Sequence, residues 1–162
     1  MSSAFKYLVI ADETPECPAA LLYAAWRARA TGSRLLMLNV VEPVSFQHWV
    51  SVGEEMRAEA REAAEALTAR FAAELMGETG VEPEILIREG ELRPEIRKVL
   101  EEDGDVKLIV LAAGAGRDGP GPLVASLAKG GLGGRALPVL VVPGQLGREE
   151  IRALAVSGPI PS

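Results

Sequence analysis

The sequence has few of the residues that form disulfides, metal sites and aromatic cores. It contains one cysteine, Cys17, and one histidine, His48, so an intramolecular disulfide and a metal site of several cysteines or histidines are excluded. Aromatic residues make up only 4% of the chain, so the core has to rely on Leu, Val, Ile and Ala. We interpret His48, beside Trp49, as a surface or packing residue rather than a catalytic base.

An excess of basic charge and a long apolar run are also missing. Lys and Arg number 17 against 23 Asp and Glu, and the net charge is -6 at pH 7. This balance argues against a nucleic-acid partner, because duplex binding depends on clustered basic side chains. No apolar run reaches the roughly 18 residues of a membrane span, and the apolar stretch 7–11 runs into Asp12 instead of forming a signal-peptide core. We therefore expect a cytoplasmic protein without a membrane or nucleic-acid partner.

Apolar runs of strand length alternate with helical patterns along the 162 residues. The predicted strands cover residues 7–11, 34–41, 83–88, 107–113 and 138–142. This alternation predicts βαβ units, a mainly parallel sheet and helices on both faces, which defines a single α/β domain. We place that domain at residues 1–144, followed by a C-terminal tail over 145–162 with a short helix at 148–155.

Two helical patterns are specific enough to predict their ends or their buried face. Ser51 and Glu54 have capping-box spacing, which predicts the start of a long helix there, and glycines at 77 and 80 predict its end. In a shorter helix further on, the apolar face is predicted to consist of Ile96, Val99 and Leu100. The third strand is more polar than the others, which favours an edge position in the sheet.

The stretch 108–142 carries the strongest functional pattern in the chain. A strand run is followed by a loop rich in Gly and Pro, a helical segment and a second strand run, PVLVV. Such a unit can place backbone N–H groups around a phosphate at a helix N-terminus. The stretch resembles the universal stress protein family, whose loop carries the nucleotide signature G-x2-G-x9-G-S/T. Aligned without gaps, that signature falls on Ala112, Ala115, Ala125 and Ser126.

The N-terminal half shows the same resemblance. Residues 12–14 correspond to the Asp-Gly-Ser after the family's first strand, and Asn39-Val40-Val41 to its His-Val-Val. Gly90 holds the glycine position of the turn after the third strand. The chain is thus identified as a member of this family over about residues 5–143. The resemblance implies a Rossmann-like fold with strand order 3-2-1-4-5 and a ligand crevice at the switch point between strands 1 and 4.

The resemblance also implies which residues bind a nucleotide. Asp12 and the backbone at Val40 would contact the adenosine moiety of ATP or another adenine nucleotide. The residues that would hold the phosphates are Ala112, Gly114, Ala115, Gly116, Ala125 and Ser126. No metal site is implied. Two other interpretations stay open: Asp12 as a capping or turn carboxylate beside Thr14, and Val40 as the last core residue of its strand.

Replacement of every signature glycine by alanine predicts weak or absent ATP binding. A Cβ at a left-handed position costs roughly 1–2 kcal/mol, and elsewhere it still occupies part of the phosphate path. Our first hypothesis is a stress-response or regulatory protein that binds an adenine nucleotide or another phosphate ligand weakly at the switch-point crevice. The alternative is a nucleotide-free, dimeric protein-interaction module.

Catalysis is not predicted, although slow nucleotide hydrolysis stays open. Cys17 stands at a helix start, where a lowered pKa is one interpretation and an inert structural thiol the other. Relatives commonly pair their fifth strands, and here that strand is short, uncharged and apolar. Because such an edge tends to pair with another strand, we expect a homodimer through Val139, Leu140, Val141 and Val142.

Overall fold

The computed structural model describes residues 5–42, 46–114, 124–125 and 135–156, and for 46–52 it describes the backbone alone. The strands are β1 (Lys6–Ile10), β2 (Arg34–Val41), β3 (Glu84–Glu89), β4 (Val106–Ala113) and β5 (Val139–Pro143). The helices are α1 (Cys17–Thr31), α2 (Phe46–Thr79), α3 (Leu92–Glu102) and α4 (Arg148–Val156). No helix among these residues is long and apolar enough to cross a membrane.

The strands form one sheet in the order β3-β2-β1-β4-β5, with every neighbouring pair parallel. The predicted α/β class and strand order are confirmed. All five residues of β1 are buried, because this strand is central and helices cover both faces of the sheet. Tyr7 and Val9 pack into a cluster with α1, α2 and α4, while Leu8 and Ile10 pack into a second cluster with α3.

The polar strand β3 lies at an edge of the sheet, as predicted. The apolar face predicted for the following helix is also confirmed, since Ile96, Val99 and Leu100 are each at most 2% exposed in α3. The first turn of α3 is capped from outside the helix. Glu42, directly after β2, accepts a hydrogen bond from the Leu92 backbone N–H through Oε1 at 2.7 Å.

The ends of α2 differ from the prediction. The helix begins at Phe46, and its one non-helical residue is Gly53, with φ 50° and ψ -133°. A left-handed φ costs little only for glycine, so the helix is interrupted at Gly53. The predicted helix start at Ser51 is therefore not observed. Gly77 lies inside the helix, which ends at Thr79. Gly80 follows with φ +77° and donates its N–H to the Met76 carbonyl at 3.0 Å.

Helix α4 occupies the region where a short helix at 148–155 is predicted. Ile151 and Ala155 are buried in the same cluster as α1. The guanidinium of Arg27 in α1 donates to the Ala155 carbonyl at 3.1 Å. The hydrophobic core therefore continues past residue 144, and the division between domain and tail at that residue stays a prediction.

Candidate functional site

The strand order creates a crevice at the carboxyl edge of the sheet. From β1 the chain crosses to β2 on one side, whereas β4 lies on the other side of β1. In open α/β sheets, ligands bind where the strand order reverses in this way. The described residues that border this crevice lie at the carboxyl ends of β1, β2 and β4.

The strand register brings the predicted adenosine residues together. Ile10 pairs with Leu38, and Val9 pairs with Val110. Continuing both ladders by two or three residues places Asp12 between Val40 on one side and Ala113 on the other. Because neighbouring strands lie about 4.8 Å apart, these three positions span about 10 Å.

Asp12 is exposed and forms a turn with Thr14. Its Oδ1 accepts hydrogen bonds from the Thr14 backbone N–H at 3.0 Å and from the Thr14 hydroxyl. It does not cap α1, because the N-cap residue is Glu16, which has no side-chain capping bond. Within the described part of the chain, the Asp12 Oδ2 has no hydrogen-bond donor. One oxygen thus holds the turn, and the other is available to a ligand hydroxyl.

The carboxyl end of β2 is tied to the end of β1 by a buried amide. Asn39 is 7% exposed and donates through Nδ2 to the Ala11 carbonyl at 2.8 Å. This bond holds the backbone before Asp12 beside the backbone before Val40. Asn39 had no predicted role, although a polar residue inside the apolar run LLMLNVV was a usable signal.

Val40 lies at the margin of the core, and its role in binding a nucleotide stays a prediction. Its side chain packs against the α3-side cluster, yet it is only partly buried. Its neighbour Val41 accepts a hydrogen bond from the Gly90 N–H at 3.0 Å, which fixes the turn after β3 beside the end of β2. The backbone at Val40 is therefore held in place at the edge of the crevice.

The alanines that replace the signature glycines have ordinary backbone geometry where they are described. Ala112 is a strand residue paired with Val142, and Ala125 is helical and exposed. No described residue other than glycine has a positive φ. The idea that these two alanines strain a left-handed backbone is wrong, because strand and helix geometry suit any L-residue. Their effect on a ligand can only be steric.

Of the other residues predicted to hold the phosphates, Gly114 lies within the described residues. Gly114 directly follows β4 and is partly buried. Ala115, Gly116 and Ser126 lie outside the described residues. Their assignment as nucleotide-binding residues stays a prediction.

Gly144 closes one rim of the crevice, and the sequence analysis did not single it out. Its N–H donates to the Ala113 carbonyl at 2.9 Å. A Cβ placed on Gly144 would lie 2.5 Å from the Glu16 Cβ and 3.0 Å from that same carbonyl oxygen. Only glycine allows the chain after β5 to approach the start of α1 so closely.

Cys17 is a structural thiol. Burial is the largest cause that raises the pKa of its thiol; the Asp12 N–H donated to its sulfur lowers this pKa, and the charges of Asp12 and Glu16 raise it, so that the pKa lies at about 12. The interpretation of a lowered pKa is therefore wrong, because loss of solvent outweighs the position at a helix start. The side chain of His48 lies outside the described residues. Among the described side chains, no three of His, Cys, Asp or Glu are grouped to hold a metal ion.

A parallel sheet of this order with a crevice at its switch point defines a Rossmann-like α/β protein. The sequence model described as the universal stress protein family matches residues 5–143. Since this match covers most of the chain, the chain belongs to the universal stress protein family. No curated protein sequence matches it.

Solved structures agree on the fold. A universal stress protein from Lactobacillus plantarum is 20% identical, with a TM-score of 0.66 over 88% of this chain and 99% of that one. A family member from Arabidopsis thaliana with AMP bound is 20% identical, with a TM-score of 0.58 over 86% and 91%. The Archaeoglobus fulgidus protein in complex with dAMP is 16% identical, with a TM-score of 0.54 over 85% and 97%. At these identities the likeness extends to the fold alone.

Proposed function

We propose that this protein binds an adenine nucleotide weakly in the crevice between the carboxyl ends of β1 and β4, as a cytoplasmic stress-response or regulatory protein. The observation that carries the proposal is the register of β1 with β2 and β4. Continued past the last paired residues, this register brings Asp12 level with Val40 and Ala113. Two structures of the same fold hold AMP or dAMP. Within the described residues the Asp12 Oδ2 has no hydrogen-bond donor, which supports the proposal, because a ribose hydroxyl can donate to it.

Weak binding follows from the methyl groups at the signature positions. With an ordinary backbone at Ala112 and Ala125, no strain has to be relieved. Each Cβ nevertheless occupies space that glycine leaves open for a phosphate beside the backbone. We infer binding without catalysis, and slow nucleotide hydrolysis stays an open alternative.

The test is calorimetric titration of AMP and MgATP into the wild type and a variant with Ala112, Ala115 and Ala125 replaced by Gly. We expect the wild type to bind with a dissociation constant above about 0.1 mM, and the variant to bind about tenfold tighter, equivalent to about 1.4 kcal/mol. A matched control replaces three exposed alanines of α2 by Gly. These alanines are Ala58, Ala63 and Ala69.

The control separates a steric effect at the crevice from a general loss of stability. It also removes three methyl groups, but from α2, and it is expected to destabilise α2 without changing the affinity. Low-micromolar binding by the wild type would show that the alanines do not obstruct the ligand. Absence of binding by both the wild type and the crevice variant would reject the nucleotide site.

The second candidate function is a nucleotide-free, dimeric protein-interaction module. The observation that favours it is the exposed edge strand β5, in which Val139 and Val141 are 38% and 40% exposed. Exposed apolar side chains on an edge strand favour pairing with a further strand. The partner proposed here is a second copy of the chain, joined through Val139, Leu140, Val141 and Val142.

Sedimentation of two matched variants tests this dimer. Val141→Lys places a charge on β5, whereas Ile85→Lys places the same charge on β3, the opposite edge strand, where Ile85 is 43% exposed. We expect a wild-type dimer at micromolar concentration, a monomeric Val141→Lys and a dimeric Ile85→Lys. A monomeric wild type, or a dimer that survives Val141→Lys, would reject pairing through β5.

A further inference from the structure

A cavity of about 170 Å³ lies between α1, the C-terminal half of α2 and the segment that joins β5 to α4. Asp12, Val40 and Ala112, which carry the proposed nucleotide function, do not line it. The cavity is therefore a separate feature of the molecule. Gly144 is the one residue that contributes both to its wall and to the rim of the crevice.

The inner wall of the cavity is apolar. It is formed by Leu22, Phe71, Leu75 and Ile151, which are at most 6% exposed, and by the partly buried Leu146. A cavity of about 150 Å³ with such a lining binds one benzene ring, so the space here fits one ring or a hydrocarbon group of similar size. A mononucleotide is much larger than that.

The mouth of the cavity carries an excess of negative charge. Glu74 and Glu78 are one helical turn apart on α2, and both line the cavity together with Arg148. The Arg148 Nη2 lies 3.2 Å from the Glu78 Oε2. Within the described residues Glu74 has no such partner. Two carboxylates at this spacing repel each other, and a further positive charge would relieve the repulsion.

We propose that this cavity is a second ligand site, which takes a small organic ammonium ion with one ring or a hydrocarbon group of similar size. The apolar body fills the space between Leu22, Phe71 and Leu75. The ammonium group lies at the mouth, against Glu74. Arg148 is paired with Glu78. A ligand with one positive charge would therefore balance the remaining negative charge of Glu74. The site does not depend on nucleotide binding.

The test is an NMR titration of the full chain, labelled with ¹⁵N, with benzylamine and with its neutral analogue benzyl alcohol. We expect both probes to shift the amide signals of residues 71–78 and 146–151. Benzylamine should bind roughly two- to fivefold tighter, the range of an exposed ion pair. In Glu74→Gln this preference for benzylamine should disappear. In the control Glu62→Gln the preference should remain, because Glu62 is exposed and lies nearer the start of α2, away from the cavity.

Two filling variants test the space itself. Ala19 and Leu146 line the cavity, and Ala19→Phe or Leu146→Trp would occupy it. Each variant that folds should no longer bind either probe. If one of the two variants does not fold, the other still provides the test. Three results would overturn the proposal: no shifts of the cavity residues, equal affinity of the wild type for both probes, or a preference for benzylamine that persists in Glu74→Gln.

Discussion

Lys6 is buried at the start of β1, and two carboxylates hold its charge. The residue is 4% exposed, and its Nζ lies 2.7 Å from the Asp103 Oδ2 and 3.3 Å from the Glu84 Oε1. Burial raises the pKa of the Asp103 carboxyl, but hydrogen bonds from Lys6 and the Asp105 backbone, with the charges of Lys6 and Arg34, lower it below the usual 3.8. This ion pair therefore stabilises the folded chain.

Replacement of Lys6 by Met tests that contribution. We expect Lys6→Met to lower the free energy of unfolding by about 2 kcal/mol, less than for a fully buried pair because the carboxylates remain partly hydrated. The matched control is Arg61→Met, since the Arg61 side chain is 48% exposed and lies 3.6 Å from the Glu65 carboxylate, which is 59% exposed. The control should change stability by less than about 0.5 kcal/mol. Urea denaturation measures both, and equal losses would contradict the account.

The lowered pKa of Asp103 predicts a pH dependence with a definite sign. A carboxyl whose pKa is lower in the folded state adds stability above its unfolded pKa of about 3.9 and loses it as the pH falls through the folded value. Asp103→Asn should therefore be less stable than wild type near neutral pH. Below about pH 3 the difference in unfolding free energy should shrink. A difference that stays constant with pH would rule out this origin.

The buried Cys17 should be unreactive in the folded protein. With a pKa near 12, almost none of the thiol is ionised at neutral pH, and only the thiolate attacks disulfide reagents. We expect an aromatic disulfide reagent to label Cys17 slowly in the native chain and rapidly in denaturant. Rapid labelling under native conditions would show that the thiol is exposed or its pKa low.

At the scale of the elements, α4 connects the end of the chain to the core. Ile151 is 2% exposed, and the Arg152 guanidinium lies 4.5 Å from the centre of the Trp26 ring in α1. A cation over an indole face adds about 0.5–1 kcal/mol to the burial of the apolar side chains. Helix α4 is thus part of the hydrophobic core on the α1 side of the sheet.

A pair of truncations on α4 measures that contribution. Ile151→Ala leaves a cavity in the core and should cost about 2–4 kcal/mol, whereas Leu154→Ala removes a side chain that is 58% exposed and should cost less than about 0.5 kcal/mol. Thermal or urea unfolding gives both values. Similar costs for the two variants would mean that α4 is not anchored.

The elements show how far sequence patterns predict this fold. Apolar runs and turn residues were sufficient for the strands, because a strand buried on both faces has to be apolar throughout. The apolar face of α3 followed from its helical spacing. The start of α2 was not predictable in this way, because the capping-box spacing at Ser51 and Glu54 competes with the left-handed geometry of Gly53, and pattern alone does not decide between them.

The site was less predictable than the fold. Residues on different strands become neighbours through the register, and the strand order came from the family resemblance, not from the spacing of residues. The contacts of Asn39 with Ala11 and of Gly144 with Glu16 join segments far apart in sequence. For Ala112 and Ala125, the sequence pattern predicted a feature that the structure does not have. Their replacement of glycine suggested backbone strain, which the observed strand and helix geometry excludes.

At the scale of the whole molecule, the amino ends and the carboxyl ends of the strands differ in the interactions they form. At the amino ends of the strands, Lys6 and Arg34 form ion pairs with Glu84, Asp103 and Asp105. These pairs join four segments, which are β1, β2, β3 and the connection from α3 to β4. The carboxyl edge carries the switch-point crevice, where turns and hydrogen bonds hold the backbone but leave polar atoms for a ligand. Stability and the proposed binding function are thus located at opposite ends of the strands.

The central claim is that the crevice takes an adenine nucleotide weakly, and an NMR titration with AMP tests it most directly. We expect fast-exchange shifts at residues 11–14, 39–41 and 112–114, with a dissociation constant above about 0.1 mM. Residues 71–78 and 146–151, around the second cavity, should not move. Shifts confined to that cavity, or no shifts at millimolar AMP, would contradict the account.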